Sequence, residues 1–410
     1  MNSSFIKNFT VLFSGATFAQ VIPFLLAPII SRLYLPEEYA EYATYTSIVS
    51  LAAIFATCKF ELAIVLAKNK VETNNIIFLC LYLTIGLSSI LLILALIAVV
   101  FFSIKWYYIT LPFCVLFFSL NTIFERRLNK YRHYGSMSIL KIIKTTSESG
   151  YNLLGFISLF RTLNLTLGFL IAYFATSLYL IKKEWSLLCK AFREFSYSKL
   201  IYIVKKYKDF PIFSLPHTFL NTFSTSIPIL IIPYYFDKPT LGLYMFGLKY
   251  IQAPLGLISS TFYNILSQEF ADLKNDPEQL KIKFNDKTKE LLVFSAILLP
   301  TLIFSKEIFE YFFGVNWKMA GLYITILAVW IVLGFIVSSF AIIPVLFGKQ
   351  KQALYFEVIY SISKILPFVI GASVLKFNFE STLILYTIVT SIVLIAGFFW
   401  YRFLICFHFK

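Results

Sequence analysis

Apolar residues fall into twelve long runs separated by short polar stretches, and the runs lack the strict alternation of polar and apolar positions that a membrane β-barrel strand requires. Each is near the roughly 17 to 25 residues that carry a helix across a bilayer. The pattern predicts helices near residues 9–33, 39–66, 75–102, 107–124, 136–159, 162–181, 210–233, 241–267, 290–305, 320–346, 353–374 and 381–401. The longest polar interruption, residues 182–209, follows the sixth run. It divides the chain into an N-terminal bundle, 1–181, a basic linker, and a C-terminal bundle, 210–410. In the linker Trp185, Leu188, Phe192 and Phe195 recur at helical spacing opposite lysines and Arg193. This suits either an interfacial helix on an anionic leaflet or a loop whose aromatics pack on the bundle.

Composition agrees with that pattern. Hydrophobic residues make up 59% of the chain and charged residues 14%, against about 25% charged in a soluble domain. The fold class is therefore all-α and polytopic, with about twelve transmembrane helices in two six-helix bundles. The net charge of +15 would suit a nucleic-acid partner, but its distribution excludes that class. With both termini cytoplasmic, 24 of the 36 lysines and arginines lie in inside segments, seven outside and five within spans, as the positive-inside rule requires. The N-terminal MNSSFIKNFT shows no small-residue cleavage site, so the first helix is expected to stay.

The two bundles repeat one motif. Pro23-Phe-Leu-Leu-Ala-Pro28 in the first span matches Pro228-Ile-Leu-Ile-Ile-Pro233 in the seventh, and each precedes a further proline, Pro36 or Pro239. Ala40-Glu-Tyr42 or Gly242-Leu-Tyr244 then opens the next helix. Both copies run in the same direction, which implies a pseudo-twofold axis along the membrane normal. An internal proline removes a backbone hydrogen bond and bends a helix, so Pro23, Pro28, Pro228 and Pro233 are candidate gates, or kinks that only shape packing.

A few charges lie well inside the apolar runs: Lys59, Glu61, Lys141, Lys144, Glu148, Lys249, Glu357 and Lys364. A charge near the bilayer centre costs roughly 2.5 to 3.5 kcal/mol on insertion scales, so such residues face a protein interior or a watery cavity. That points to a membrane transporter, and the excess of cations, with Arg32 at the outer end of the first helix, points to an anionic cargo. Lys141, Lys144 and Glu148 share one face of the fifth helix, where Glu148 can pair with Lys144. They line a cavity or snorkel to the surface. Lys59 and Glu61, two residues apart in a continuous helix, point in different directions, while Lys364 lies close to mid-membrane.

Other chemistry is thinly supplied. His133, His217 and His408 lie apart from the scattered cysteines Cys58, Cys80, Cys114, Cys189 and Cys406, so no metal site is expected. His217 is a proton-sensitive cavity residue or a packing histidine. No GxxxxGK[ST] phosphate cradle occurs, which argues against ATP hydrolysis in this chain. The outside loop at 306–319 is short for a membrane glycan polymerase. An ion-coupled exporter of cationic amphipathic molecules would want an acidic cavity, and this one is basic.

Three segments then resemble the opening of Wzx-type polysaccharide biosynthesis flippases, of the multidrug/oligosaccharidyl-lipid/polysaccharide exporter superfamily. They are Ser14-Gly-Ala-Thr-Phe-Ala-Gln20, Pro28-Ile-Ile-Ser-Arg-Leu-Tyr-Leu-Pro-Glu-Glu-Tyr39 and Phe60-Glu-Leu-Ala-Ile-Val-Leu66. Asp209-Phe-Pro-Ile-Phe-Ser-Leu-Pro216 and Phe313-Gly-Val-Asn-Trp-Lys-Met-Ala-Gly321 are similar to family patterns in the second half. The resemblance implies two six-helix bundles around a cation-lined cavity in the bacterial inner membrane, with the cavity cations at Arg32, Lys59 and Lys249. It implies an undecaprenyl-pyrophosphate-linked oligosaccharide, an O-antigen or similar repeat unit, as cargo, with membrane lipids, a glycan polymerase and a chain-length regulator as partners. No cofactor is expected. Coupling to a proton or sodium gradient would run through Glu61, Glu148, Glu357 or His217.

Overall fold

A computed structural model of the chain describes residue 19 and residues 21–102, 105–155, 164–193, 196–273 and 276–407. Most of the Ser14–Gln20 motif, residues 156–163 and Phe195 lie outside the described residues. Every described element is helical. Helices α1 (Val21–Leu33) and α2 (Pro36–Ala56) open the chain, followed by a tight turn, Phe60–Leu62, and α3 (Ala63–Leu66). Next come α4 (Lys70–Phe102), α5 (Leu111–Lys130), α6 (Tyr134–Leu154) and α7 (Asn164–Lys183). The linker holds α8 (Trp185–Arg193) and α9 (Tyr197–Lys206). The second half runs through α10 (Leu215–Tyr235), α11 (Lys238–Asp272), α12 (Pro277–Ile303), α13 (Ser305–Phe313), α14 (Lys318–Ser339), α15 (Ile343–Leu346), α16 (Gln350–Val369) and α17 (Phe379–Phe407).

Each predicted run thus contains a helix. Seven described helices are long and apolar enough to cross a bilayer, or up to nine if each of two bent pairs counts as one span. Helix α6 falls outside that set because Lys141, Lys144 and Glu148 share it with four serines and two threonines. The bent pairs correct the expectation of a continuous second helix. The axis turns by 68° between α2 and Phe60–Leu66, and by 61° between α12 and α13.

The chain divides into two compact units, one of Met1–Leu33 and Glu41–Phe223, the other of Tyr34–Ala40 and Ser224–Lys410. In the first, one core cluster joins Phe60 and Ile64 to Ile76, Cys80, Ile123, Phe124, Leu180, Leu187 and Ile203. Both linker helices therefore bury a residue in this bundle, Leu187 from α8 and Ile203 from α9. Trp185, expected on the apolar face, is instead exposed. Lys206 of α9 is tied to Glu72 at the start of α4.

In the second unit α14 is apolar all round and packs against α11, α12, α13 and α17, as a helix central to its bundle must. Its start is fixed by the Phe313–Trp317 motif. Gly314 has φ of 98° and ψ of 167°, a conformation open to glycine alone. The turn delivers Trp317, fully buried, onto the ring of Phe246 at 3.8 Å between centroids. Tyr39, in the short N-terminal segment that belongs to this unit, meets both rings edge-on, at 5.0 Å and 5.1 Å. Motifs that carry the family resemblance are thus packing devices here.

Candidate functional site

The break after α2 is built on two residues in the left-handed region, Cys58 at φ 47° and Lys59 at φ 63°. Neither is glycine, so each costs roughly 1 to 2 kcal/mol of local backbone energy. What the break achieves is to place Glu61, only 1% exposed, within reach of two partners. The Thr57 hydroxyl donates to its Oε2 at 2.5 Å, and Lys59 Nζ lies 3.5 Å from Oε1. On a regular helix, two residues apart, these charges would diverge. The break overturns that and makes them a pair. Lys59 serves in part as counter-ion to Glu61, which lessens its availability to a cargo.

The stripe on α6 stays on one face and is held by tyrosines from two other helices of the first unit. Lys144 Nζ donates to the Tyr173 hydroxyl of α7 at 2.6 Å and lies 4.3 Å from the centre of that ring. Glu148 Oε1 accepts from the Tyr42 hydroxyl of α2 at 2.9 Å. Glu148 also attracts Lys144 electrostatically. Lys141 is half-buried on the same helix. Nearby, Asn121 of α5 donates to Ser177 at 2.9 Å and to the Phe117 carbonyl at 2.8 Å. Together these make a polar seam through the bundle, whose tyrosines Tyr42 and Tyr173 pack on an apolar core cluster and turn their hydroxyls to glutamate and lysine. Arg32 is exposed.

The second unit supplies its own cation. Lys364 is 8% exposed on α16, and its Nζ sits 4.1 Å from the centre of the Tyr360 ring. Tyr360 in turn accepts from Trp330 Nε1 of α14 at 2.9 Å. This is a cation held on an aromatic face whose hydroxyl is already spoken for. Glu357, half-buried, lies two turns before it on the same helix and attracts it electrostatically. Lys249 on α11 is exposed and lies 6.0 Å from the ring of Tyr250, while His217 on α10 is exposed. Pro228 and Pro233 sit inside α10, and α1 likewise continues through Pro23 and Pro28.

The partners Thr57, Tyr42, Tyr173, Tyr360 and Trp330 were not singled out from the sequence as site residues. With 26 tyrosines in the chain, a tyrosine carries no mark of its own. Thr57 did carry one, standing four residues before Glu61.

Residues 29–322 match the model of a family described as polysaccharide biosynthesis protein. The chain belongs to that family. It is 24% identical over 382 residues to the capsular polysaccharide biosynthesis protein CapF of Staphylococcus aureus, covering 89% of this chain and 90% of that one. Among solved structures, the lipid II flippase MurJ in an inward closed conformation superposes with a TM-score of 0.71, at 16% identity, over 96% of this chain and 87% of that one. An inward-facing multidrug transporter of the MATE family in the MOP superfamily gives 0.68, at 15% identity, over 95% and 98%. A MOP superfamily transporter from Pyrococcus furiosus gives 0.61, at 14% identity, over 99% and 96%. The fold is that of the MOP transporters, as the sequence resemblance implied, and this member of the polysaccharide biosynthesis family is a multi-pass membrane protein.

Proposed function

We propose that this chain is a flippase that moves an undecaprenyl-pyrophosphate-linked oligosaccharide, the repeat unit of a surface polysaccharide, from the inner to the outer leaflet of the bacterial inner membrane. The observation that carries the reading is Lys364. A polysaccharide-biosynthesis chain with a transporter fold keeps a lysine 8% exposed in an apolar helix, supported by an aromatic face. Burying a cation this way is costly, and an anionic cargo gives it a use. A pyrophosphate is the natural match for lysine, which binds phosphate as a point charge.

Lys144, Lys141, Lys249 and Arg32 join Lys364 as cargo-facing cations, and transport follows alternating access, gated by α1 and α10 through their prolines. The prenyl tail remains in lipid while the sugar crosses in water. With Glu61 committed to Lys59 and Thr57, Glu148, which accepts from Tyr42, and Glu357 are the carboxylates we assign to coupling a proton or sodium gradient. Both termini and the linker face the cytoplasm on this reading. Removing the gene should deplete surface glycan and leave the lipid-linked oligosaccharide on the inner leaflet. Undiminished glycan without that accumulation would rule the function out.

A further inference from the structure

A second basic site lies away from the buried charges, at the end of the first unit where α4 begins and α5 finishes. A cavity of about 320 Å³ opens there between Lys70 of α4, Arg127 and Tyr131 at the end of α5, and Glu184, Ser186 and Lys190 around the start of α8. Three permanent cations face one carboxylate. Its shape is set by an unusual turn. Arg132 takes φ of 58°, and the His133 amide closes back on the Leu128 carbonyl at 2.8 Å, which ends α5 and brings His133 to the cavity wall.

The cations are of two kinds. Arg127 is held from two sides: its Nε lies 3.0 Å from Glu184 Oε2, and its guanidinium carbon 5.1 Å from the centre of the Tyr131 ring. A guanidinium fixed in plane is a preorganised fork for phosphate oxygens. Lys70 and Lys190 are exposed and supply mobile point charges, and the Ser186 side chain adds a hydroxyl. The volume is at the low end of the roughly 300 to 1,000 Å³ of small-molecule sites, enough for a headgroup but not for a lipid. Two apolar residues stand exposed beside it, Val71 next to Lys70 and Trp185 next to Ser186. An exposed tryptophan beside a basic cleft is the pattern of an interfacial anchor.

We infer that this cavity is a binding site for a phosphate group, presented by an anionic lipid headgroup whose acyl chains lie along Val71 and Trp185. Because Lys70 comes from α4, Arg127 from α5 and Lys190 from α8, an occupied site would tie α8 to those two helices of the first unit. The inference does not depend on the identity of the transported cargo.

Native mass spectrometry of the full chain, released from neutral detergent with added phosphatidylglycerol or phosphatidylcholine, tests it. Phosphatidylglycerol should be retained at one saturable site in preference to phosphatidylcholine. With two lysines lost from an anionic surface site, the double variant K70Q/K190Q should bind about thirty-fold more weakly. The control K199Q/K205Q removes the same charge from exposed positions of α9 outside the cavity and should change retention little. Millimolar inorganic phosphate separates the sources. Failure to displace the lipid identifies a headgroup site, and displacement identifies a site that takes phosphate in either form. Equal retention of the two lipids, or equal loss in the two double variants, would overturn the proposal, leaving only diffuse surface charge.

Discussion

The carbonyl oxygen of Pro36 occupies the space that a β-carbon on Gly242 would need. An ideal β-carbon at that position would stand 1.7 Å from the oxygen, and 2.5 Å from its carbon. Both residues belong to the sequence repeat, at the opening of α2 and of α11, where Pro36 is matched by Pro239 and Gly242 by Ala40. The contact is backbone to backbone, so neither side can swing away as a long side chain would.

Gly242→Ala should therefore destabilise the protein, by about 1 to 3 kcal/mol for an overpacked contact that forces a backbone shift. Gly256→Ala and Gly334→Ala meet nothing within 4 Å and should be neutral by comparison. Thermal melting in detergent, with membrane abundance as a second reading, distinguishes them. Equal melting of all three variants would mean that α2 and α11 separate at no cost.

At the break after α2, backbone and charge can be tested apart. Cys58→Gly removes a side chain from a left-handed position and should stabilise by about 0.5 to 1 kcal/mol. Lys59→Gly relieves the backbone equally but strips Glu61 of its cation. A buried carboxylate left without its counter-ion should make that variant less stable than wild type, whereas Lys59→Gly with Glu61→Gln should recover. If Lys59→Gly is as stabilising as Cys58→Gly, the ion pair contributes nothing.

These two sites also mark what the sequence could and could not reveal. Long apolar runs announce helices because lipid permits few other backbones, so every run contained one. The break at Cys58 and Lys59 was invisible, since neither residue type signals a left-handed backbone, and with the helix assumed regular the Lys59–Glu61 pair could not be foreseen. The stripe of Lys141, Lys144 and Glu148 was legible because spacing alone sets a helix face. Tyr42 and Tyr173 were not, because they reach it from other helices, and spacing within one helix says nothing of which neighbour packs on it. Gly242 was noticed as part of a motif, but its necessity depends on a neighbour two hundred residues earlier.

The tie between the linker and the first bundle has a pH signature. Lys206 is exposed, and its hydrogen bond to Glu72 holds its amine above the ordinary lysine range. A raised folded pKa means the contribution is complete below the unfolded lysine value of about 10.4 and is lost as pH climbs through the folded one. Linker docking should thus be indifferent to pH from neutrality up to about pH 9 and weaken only in stronger alkali. Lys206→Ala should loosen α9 already at pH 7, seen as faster amide exchange across Tyr197–Lys206. Unchanged exchange in that variant would show that Ile203 alone docks the helix.

Topology is open to a direct test. The linker carries eight of the chain's 36 basic residues between 182 and 208. A reporter active only outside the membrane should stay dark when fused near Lys199, and one active in the cytoplasm should work. The opposite result would invert every loop, and with it the proposed direction of transport.

The proposed function rests most heavily on Lys364. Its aliphatic stem is buried while its ammonium rests on Tyr360, so replacement by methionine keeps most of the packing and removes only the charge. Stability of Lys364→Met should be equal to or above wild type, since an apolar residue of similar volume in place of a buried charge is often neutral or better. Glycan export should nevertheless fall by about tenfold or more, the equivalent of at least about 1.4 kcal/mol of lost cargo interaction. Arginine should restore part of it. Glutamate should be worse than methionine, because an added anion repels a pyrophosphate strongly in a site of low dielectric. Lys351→Gln, at an exposed position near the start of the same helix, should export normally. The measurements are surface glycan and inner-leaflet lipid-linked oligosaccharide, each normalised to protein abundance. Normal export by a stable Lys364→Met would leave this lysine a structural residue and remove the main support for an anionic cargo.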